Sequence, residues 1–203
     1  MIVEVFDRME ECTEEEVQRM LPLVSDQRRE QALRYKHLLG QYCCLKSWLM
    51  LQDQVKTRYQ PGNDQVKTPF RWQNWEYNEH GKPFWKEGPF FSISHCKAGI
   101  AVAMDDAPVG IDIETIRRAD EDLIKRVMNS GEQEMIYNAQ EPGRAFTRLW
   151  TQKEAVVKAQ GTGIVSFEQL QSILAQDEWR VETVEKANYI YSIAYGKLHC
   201  IGA

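Results

Sequence analysis

The opening residues MIVEVF are apolar apart from Glu4, rich in valine and isoleucine, and read as a strand. TEEEVQRML follows as a short helix, with Thr13 as its N-cap and acids in the first turn, where the helix dipole favours negative charge. A longer amphipathic helix is predicted from Asp26 to about Lys56, because Leu38, Tyr42, Leu45 and Leu49 recur at spacings that stack them on one face. Residues 60–69, QPGNDQVKTP, form a polar, turn-rich connection, and the aromatic segment FRWQNWEYN beyond it reads as strand-like. FFSISH (90–95) sets Phe91 and Ile93 against Ser92 and Ser94, and AGIAVAM (98–104) is a second β-type run, so a hairpin is predicted. DDAP then turns the chain into VGIDIE, a third strand whose Ile111 and Ile113 point one way while Gly110, Asp112 and Glu114 point the other. Two helical segments follow, DEDLIKRVM and EQEMIYNA, separated by NSG. GRAFTRLWTQKEAVVKAQ is a third helix, closed by the glycines of GTG. WRVETV and YIYSIAYG alternate again and predict the last strands, with no internal repeat or low-complexity segment anywhere.

Composition narrows the classes this pattern can serve. The chain has 203 residues, 43% of them hydrophobic, enough for one large domain or two small ones with a real core. Its formal net charge of -5, without any block of basic residues, argues against nucleic acid as a partner. Five cysteines, Cys12, Cys43, Cys44, Cys96 and Cys200, show no zinc-type spacing and suit reduced thiols. The start of the chain lacks a basic region followed by an apolar run, and no segment reaches the length of a membrane span. The expectation is a soluble cytoplasmic protein with no membrane partner.

The chemistry concentrates in GIDIE. Alternate strand positions lie about 6–7 Å apart on one face, so Asp112 and Glu114 reach toward the same small region. Hard divalent cations such as Mg²⁺ take one or two protein carboxylates and leave positions for water and substrate phosphates. An isolated acid pair of this kind is more often the solvent-facing alternation of an edge strand. In WTQKEAVVKA, Trp150, Glu154 and Lys158 line one helix face, so a third acid and a lysine become available, with Lys153 beside them. Considered alone, Glu154 and Lys158 could equally be an i,i+4 surface pair. His95 ends the FFSIS strand and Lys82 lies in the turn of EHGKPFW; each alone is unremarkable, and His37, His80 and His199 have no useful spacing.

In order, GKP (81–83), FSISH (91–95), GIDIE (110–114) and WTQKEAVVKAQGTG (150–163) resemble the motif series of the phosphopantetheinyl transferases, specifically the surfactin-synthetase type. The resemblance implies an α+β fold of two similar halves, 1–104 and 105–203, joined near residues 104–108 with the active site in the cleft between them. It implies transfer of the 4'-phosphopantetheine arm of coenzyme A to a serine of an acyl or peptidyl carrier protein, releasing adenosine 3',5'-bisphosphate, by a monomer that needs Mg²⁺. By the resemblance, Asp112, Glu114 and Glu154 are the metal-binding acids. Glu154, Asp112 and Lys158 carry the chemistry, with Glu154 or a metal-bound hydroxide as the base. Lys158 meets the diphosphate with Lys153 adjacent, Lys82, Ser94 and His95 lie around the nucleotide 3'-phosphate, and Glu132 matches a further acid.

The first 80 residues resemble the family more loosely, through QRREQALRYKH leading into the long helix. Members often carry an arginine early in that helix to help bind the nucleotide. Here LLGQYCC offers Gln41, and Arg28, Arg29, Arg34 or Lys36 would have to compensate. Carrier domains are acidic, so docking calls for a basic surface, for which Arg117, Arg118, Lys125 and Arg126 are the candidates. The alternatives are another Mg²⁺-dependent phosphotransferase or phosphohydrolase acting on a nucleotide, or a non-catalytic carrier-binding protein.

Overall fold

Strand β1 (Ile2–Phe6) leads into α1 (Glu14–Met20), whose first turn is capped as predicted, the Thr13 hydroxyl accepting from the Glu16 amide at 3.2 Å. In a computed structural model that describes residues 1–58, 75–118, 120–163 and 166–196, there follow α2 (Asp26–Leu33) and α3 (Leu38–Arg58). The connection at 60–69, most of FRWQNWEYN, His199 and Cys200 lie outside the described residues. The expected single helix from Asp26 is therefore two. RYKH at 34–37 offers no apolar side chain that a straight helix could bury, and Tyr35 folds over Gly40, where a Cβ would come within 2.6 Å of the ring. Gln41 secures the break by donating to the Tyr35 carbonyl at 2.9 Å. Breaking there lets Arg28 of α2 donate to the Cys44 carbonyl of α3 at 3.0 and 2.7 Å. Nor is α3 apolar on one face only. It packs against α1, α2 and a strand, so Tyr42, Cys43, Cys44, Leu45, Trp48, Leu51 and Val55 are all buried.

A two-residue ladder, β2 (Glu76–Tyr77) with β3 (Pro83–Phe84), precedes the predicted hairpin of β4 (Phe90–Cys96) and β5 (Gly99–Asp105). Then come β6 (Val109–Thr115), α4 (Glu121–Val127), α5 (Ser130–Tyr137), α6 (Pro142–Gln160), α7 (Phe167–Ser172), β7 (Trp179–Glu185) and β8 (Tyr189–Gly196). β1, β5 and β4 make one antiparallel sheet with β5 central, and β6, β8 and β7 a second with β8 central. The fold is α+β. α5 starts one residue after Asn129, earlier than the NSG break suggests, through a capping box in which Asn129 and Glu132 satisfy each other's backbone amides.

The two sheets meet along β4 and β6. The Ser92 hydroxyl accepts from the Ile111 amide at 3.0 Å and the Ser94 hydroxyl from the Ile113 amide at 3.3 Å, so serine oxygens stand where ladder carbonyls otherwise would. That explains why both serines are buried although they alternate with Phe91 and Ile93. Ile111 and Ile113 enter a core with Ala101, Ala103, Tyr189 and Ile193, which ties the two sheets together. On the opposite face, Gly110 lies directly beneath α6: a Cβ there would fall 2.0 Å from the Ala155 carbonyl oxygen and 2.4 Å from the Ala159 nitrogen. The missing side chain lets the helix seat itself on the face that carries Asp112 and Glu114.

Candidate active site

Because α6 rests on Gly110, its Glu154 and Lys158 descend toward the acids of β6. Lys158 Nζ lies 2.5 Å from Asp112 Oδ1 and donates to Ser94 Oγ at 2.9 Å, while Ser94 Oγ donates to the same Asp112 oxygen at 2.7 Å. Three elements, β4, β6 and α6, thus converge on one buried carboxylate. Asp112 Oδ2 and Glu154 Oε1 are both buried without a hydrogen-bond partner, a costly state for carboxylate oxygens unless a further group satisfies them.

The charge of Asp112 raises both of its acidic neighbours. Glu154 is pushed up to about 7, first by burial and then by the charge of Asp112, against the opposing pull of Lys158. Glu114 moves up for the same two reasons, countered by Arg117, Lys158 and a hydrogen bond from Trp150. Arg117, whose guanidinium carbon lies 5.5 Å from the Phe146 ring centroid and 5.7 Å from that of Trp150, is a site-adjacent cation that spacing alone did not reveal.

A cavity of about 300 Å³ opens beside this cluster, lined by His80 to Pro83, Phe91 to Ile93 and, from α6 and its end, Glu154, Val157, Lys158, Gly161 and Gly163. Lys82 borders it, its Nζ donating to the Lys158 carbonyl at 2.5 Å, and burial with the nearby Lys158 charge lowers its pKa to about 8. His95 reaches solvent at one edge, yet enough protein surrounds the ring that desolvation lowers its pKa, with Lys158 and Arg28 adding repulsion. A cavity with two lysines on its wall and buried acids at its side can bind a polyphosphate and take up a proton.

Three expected ligand residues point elsewhere. Lys153 is wholly buried, paired with Glu132 at 2.9 Å and donating to the Leu170 carbonyl at 2.5 Å. It holds α5, α6 and α7 together, because a position next to Glu154 on a helix faces about 100° away from it. Arg28 spends its donors on the Cys44 carbonyl, Ser47 and Gln31, with its guanidinium carbon 4.7 Å from the Trp48 ring centroid. Arg29 donates to the Leu21 carbonyl and pairs with Asp26. Ser92 lines the cavity without having been a candidate; the alternation of FSIS holds the signal for it, but that its partner is β6 is invisible in sequence.

Among the described residues, no three His, Cys, Asp or Glu side chains converge in a metal-binding arrangement. As the side chains stand, Lys158 holds the Asp112 oxygen that a third ligand would share. The residues nevertheless fit a hard cation: an all-oxygen donor set, two buried oxygens without partners, and acids held in mutual repulsion.

The fold and site define an α+β protein whose second sheet and covering helix present acids and a lysine to a cavity of about 300 Å³. Residues 108–196, which hold β6 to β8 and α4 to α7, match the family model of the 4'-phosphopantetheinyl transferase superfamily. Similar proteins include 4'-phosphopantetheinyl transferase psf-1 of Bacillus pumilus, 30% identical over 153 residues, 73% of this chain and 63% of the relative. The 4'-phosphopantetheinyl transferase Sfp of Bacillus subtilis is 26% identical over 75% of this chain and 66% of its own length. AcpT of Salmonella typhi, also a 4'-phosphopantetheinyl transferase, is 37% identical over 55% of this chain and 64% of its own. The chain thus spans just under two thirds of the length of these relatives. No helix among the described residues is long and apolar enough to cross a membrane.

Proposed function

We propose that this chain transfers the 4'-phosphopantetheine arm of coenzyme A to a serine hydroxyl of an acyl or peptidyl carrier protein. The observation that carries the reading is the Ser94–Asp112–Lys158 cluster with Glu154 beside it, bordering a cavity whose other wall bears Lys82. In this reading Lys158 neutralises the diphosphate, Lys82 and His95 lie toward the nucleotide, and the segment 1–104 contributes the nucleotide grip while 105–203 contributes the transfer machinery. The carrier serine oxygen attacks the phosphorus nearer the pantetheine. The bond from that phosphorus to the bridging oxygen breaks, and adenosine 3',5'-bisphosphate leaves. Little covalent help is needed in such a transfer; positioning and charge neutralisation dominate. The serine proton passes to Glu154, the carboxylate that α6 sets beside the Asp112 cluster on the cavity wall. Asp112, Glu114 and Glu154 would hold Mg²⁺, which when bound neutralises diphosphate charge. One chain supplies both cavity walls, so the reading needs only a monomer, working in the cytoplasm where coenzyme A and carriers meet.

The test is the intact mass of an apo carrier domain after incubation with this protein, coenzyme A and Mg²⁺, beside an EDTA control. The expected result is a Mg²⁺-dependent gain of one phosphopantetheine, abolished when the carrier serine is changed to alanine. No gain on fatty-acid, polyketide and peptide carriers, with coenzyme A still bound, would overturn the reading in favour of a different phosphotransfer or a carrier-binding scaffold.

A further inference from the structure

The turn at residues 78–82 is organised by one side chain. Asn78 Oδ1 accepts from the His80 amide at 3.0 Å and the Lys82 amide at 2.9 Å, while its backbone amide donates to the Lys82 carbonyl at 2.9 Å. A residue that closes such a turn needs only its oxygen. Asn78 also uses its nitrogen, donating from Nδ2 to the Gly161 carbonyl at 2.7 Å, across 83 residues of sequence. Gly161 stands at the left-handed end of α6 with φ of 74°, and its missing Cβ leaves room for both Asn78 Nδ2 and Lys82 Cδ, each 3.5 Å from where that Cβ would be. Beside this contact, Lys82 Nζ reaches the Lys158 carbonyl at 2.5 Å and the Val109 carbonyl at 3.5 Å.

We infer that Asn78 is a positioning residue: through its Nδ2 it clasps the 78–82 turn onto the end of α6 and thereby sets the distance between Lys82 and Lys158, the two cations on the cavity wall. Lys158 is fixed at its head by Asp112 and Ser94, and its own backbone carbonyl receives Lys82. The turn, flanked by the β2–β3 ladder, is anchored to α6 by the side chains of Asn78 and Lys82. Asn78 touches neither substrate nor reacting atoms in this account. Its effect is on how well the cavity is formed before coenzyme A arrives, so the inference rests on the proposed coenzyme A reading for its kinetic consequence but not for the clasp.

Two variants separate the clasp from the turn. Asn78→Asp keeps the oxygen that accepts from His80 and Lys82 and loses the donor to Gly161, whereas Asn78→Ala loses both. Both variants are expected to raise the KM for coenzyme A, and its calorimetric Kd, about three- to tenfold, the worth of one neutral hydrogen bond, with kcat within about twofold. Hydrogen exchange of residues 157–163 should quicken in both, with the start of α6 unchanged. Wild-type KM, Kd and exchange in Asn78→Asp would overturn the inference, as would a fall in kcat with KM unmoved. If wild-type protein binds coenzyme A but modifies no carrier, the proposed reaction fails while the calorimetric comparison still decides the clasp. If it binds no coenzyme A, exchange alone decides.

Discussion

Glu154 and Asp112 lie in one cluster, but only Asp112 has a cation on it. Lys158 and Ser94 both serve Asp112 Oδ1, which leaves Glu154 with a buried oxygen, two acidic neighbours and a pKa near 7. The sign of its contribution to stability follows directly. A carboxyl whose folded pKa lies above its unfolded value favours folding while protonated, and that advantage is lost as pH rises from about 4.5 through about 7. In protein stripped of divalent ions, Glu154→Gln should therefore be nearly neutral at pH 4.5 and stabilising at pH 8, by about 1–2 kcal/mol once the half-exposed edge of the group is allowed for. Denaturant unfolding at the two pH values measures the difference, and an equal gap at both would contradict the assignment. Adding Mg²⁺ at pH 8 should stabilise the wild type more than the variant, because the cation relieves the repulsion that the glutamine never had. The residue types of this cluster were legible in GIDIE and WTQKE. The pairing of Lys158 with Asp112, instead of with Glu154 one helical turn away, was not, because it depends on where β6 meets the helix.

Elements came through more clearly than the joins between them. The strands at 90–96 and 109–115 follow from alternation, those at 2–6 and 99–105 from short β-branched apolar runs, and the end of the helix 142–160 from its glycine, which are local properties. The split of the long helix, the short α7 and the β2–β3 ladder depend on tertiary partners and left little local pattern. Gly110 shows the difference well. In sequence it is one small residue before the acids, while in the fold it is the contact on which α6 rests. Gly110→Ala must displace α6 from β6, since its methyl would lie 2.0 Å from a backbone oxygen. A loss of about 1–3 kcal/mol together with loss of transfer activity is expected, read by thermal unfolding and by carrier modification. Lys153 makes the second test at this scale. Removing one partner of its buried pair, as in Lys153→Met, should destabilise by about 3–5 kcal/mol. Lys153→Met with Glu132→Gln should recover a good part of that, because the glutamine carries no stranded charge and can still accept from the Asn129 amide. No recovery in the double variant would mean that Lys153 acts on something other than Glu132.

At the scale of the whole molecule, charge sets a problem for the proposed reaction. The chain is acidic overall, at -5, and a carrier domain is acidic too, so long-range attraction between them cannot come from net charge. It has to come from a local patch. Arg117, Arg118, Lys125 and Arg126 are all exposed and follow the strand that carries Asp112 and Glu114. They are not equivalent. Lys125 faces Glu121 at 3.6 Å, one turn away on α4, which weakens its field, and Arg117 leans over Phe146 and Trp150 close to the acids. Arg118 and Arg126 are therefore the pair best suited to steering without touching the chemistry. Steering charges act mainly on the association rate, and their effect falls as salt shortens the Debye length from about 10 Å at 0.1 M. The Arg118→Glu, Arg126→Glu double variant should raise the KM for the carrier about fivefold or more at low salt, by a factor that shrinks toward one near 0.5 M, where attraction between separated charges is largely screened. The KM for coenzyme A should not move. Steady-state kinetics against each substrate in turn, at two ionic strengths, checks this, and an unchanged carrier KM at low salt would remove α4 and the turn before it from the docking surface.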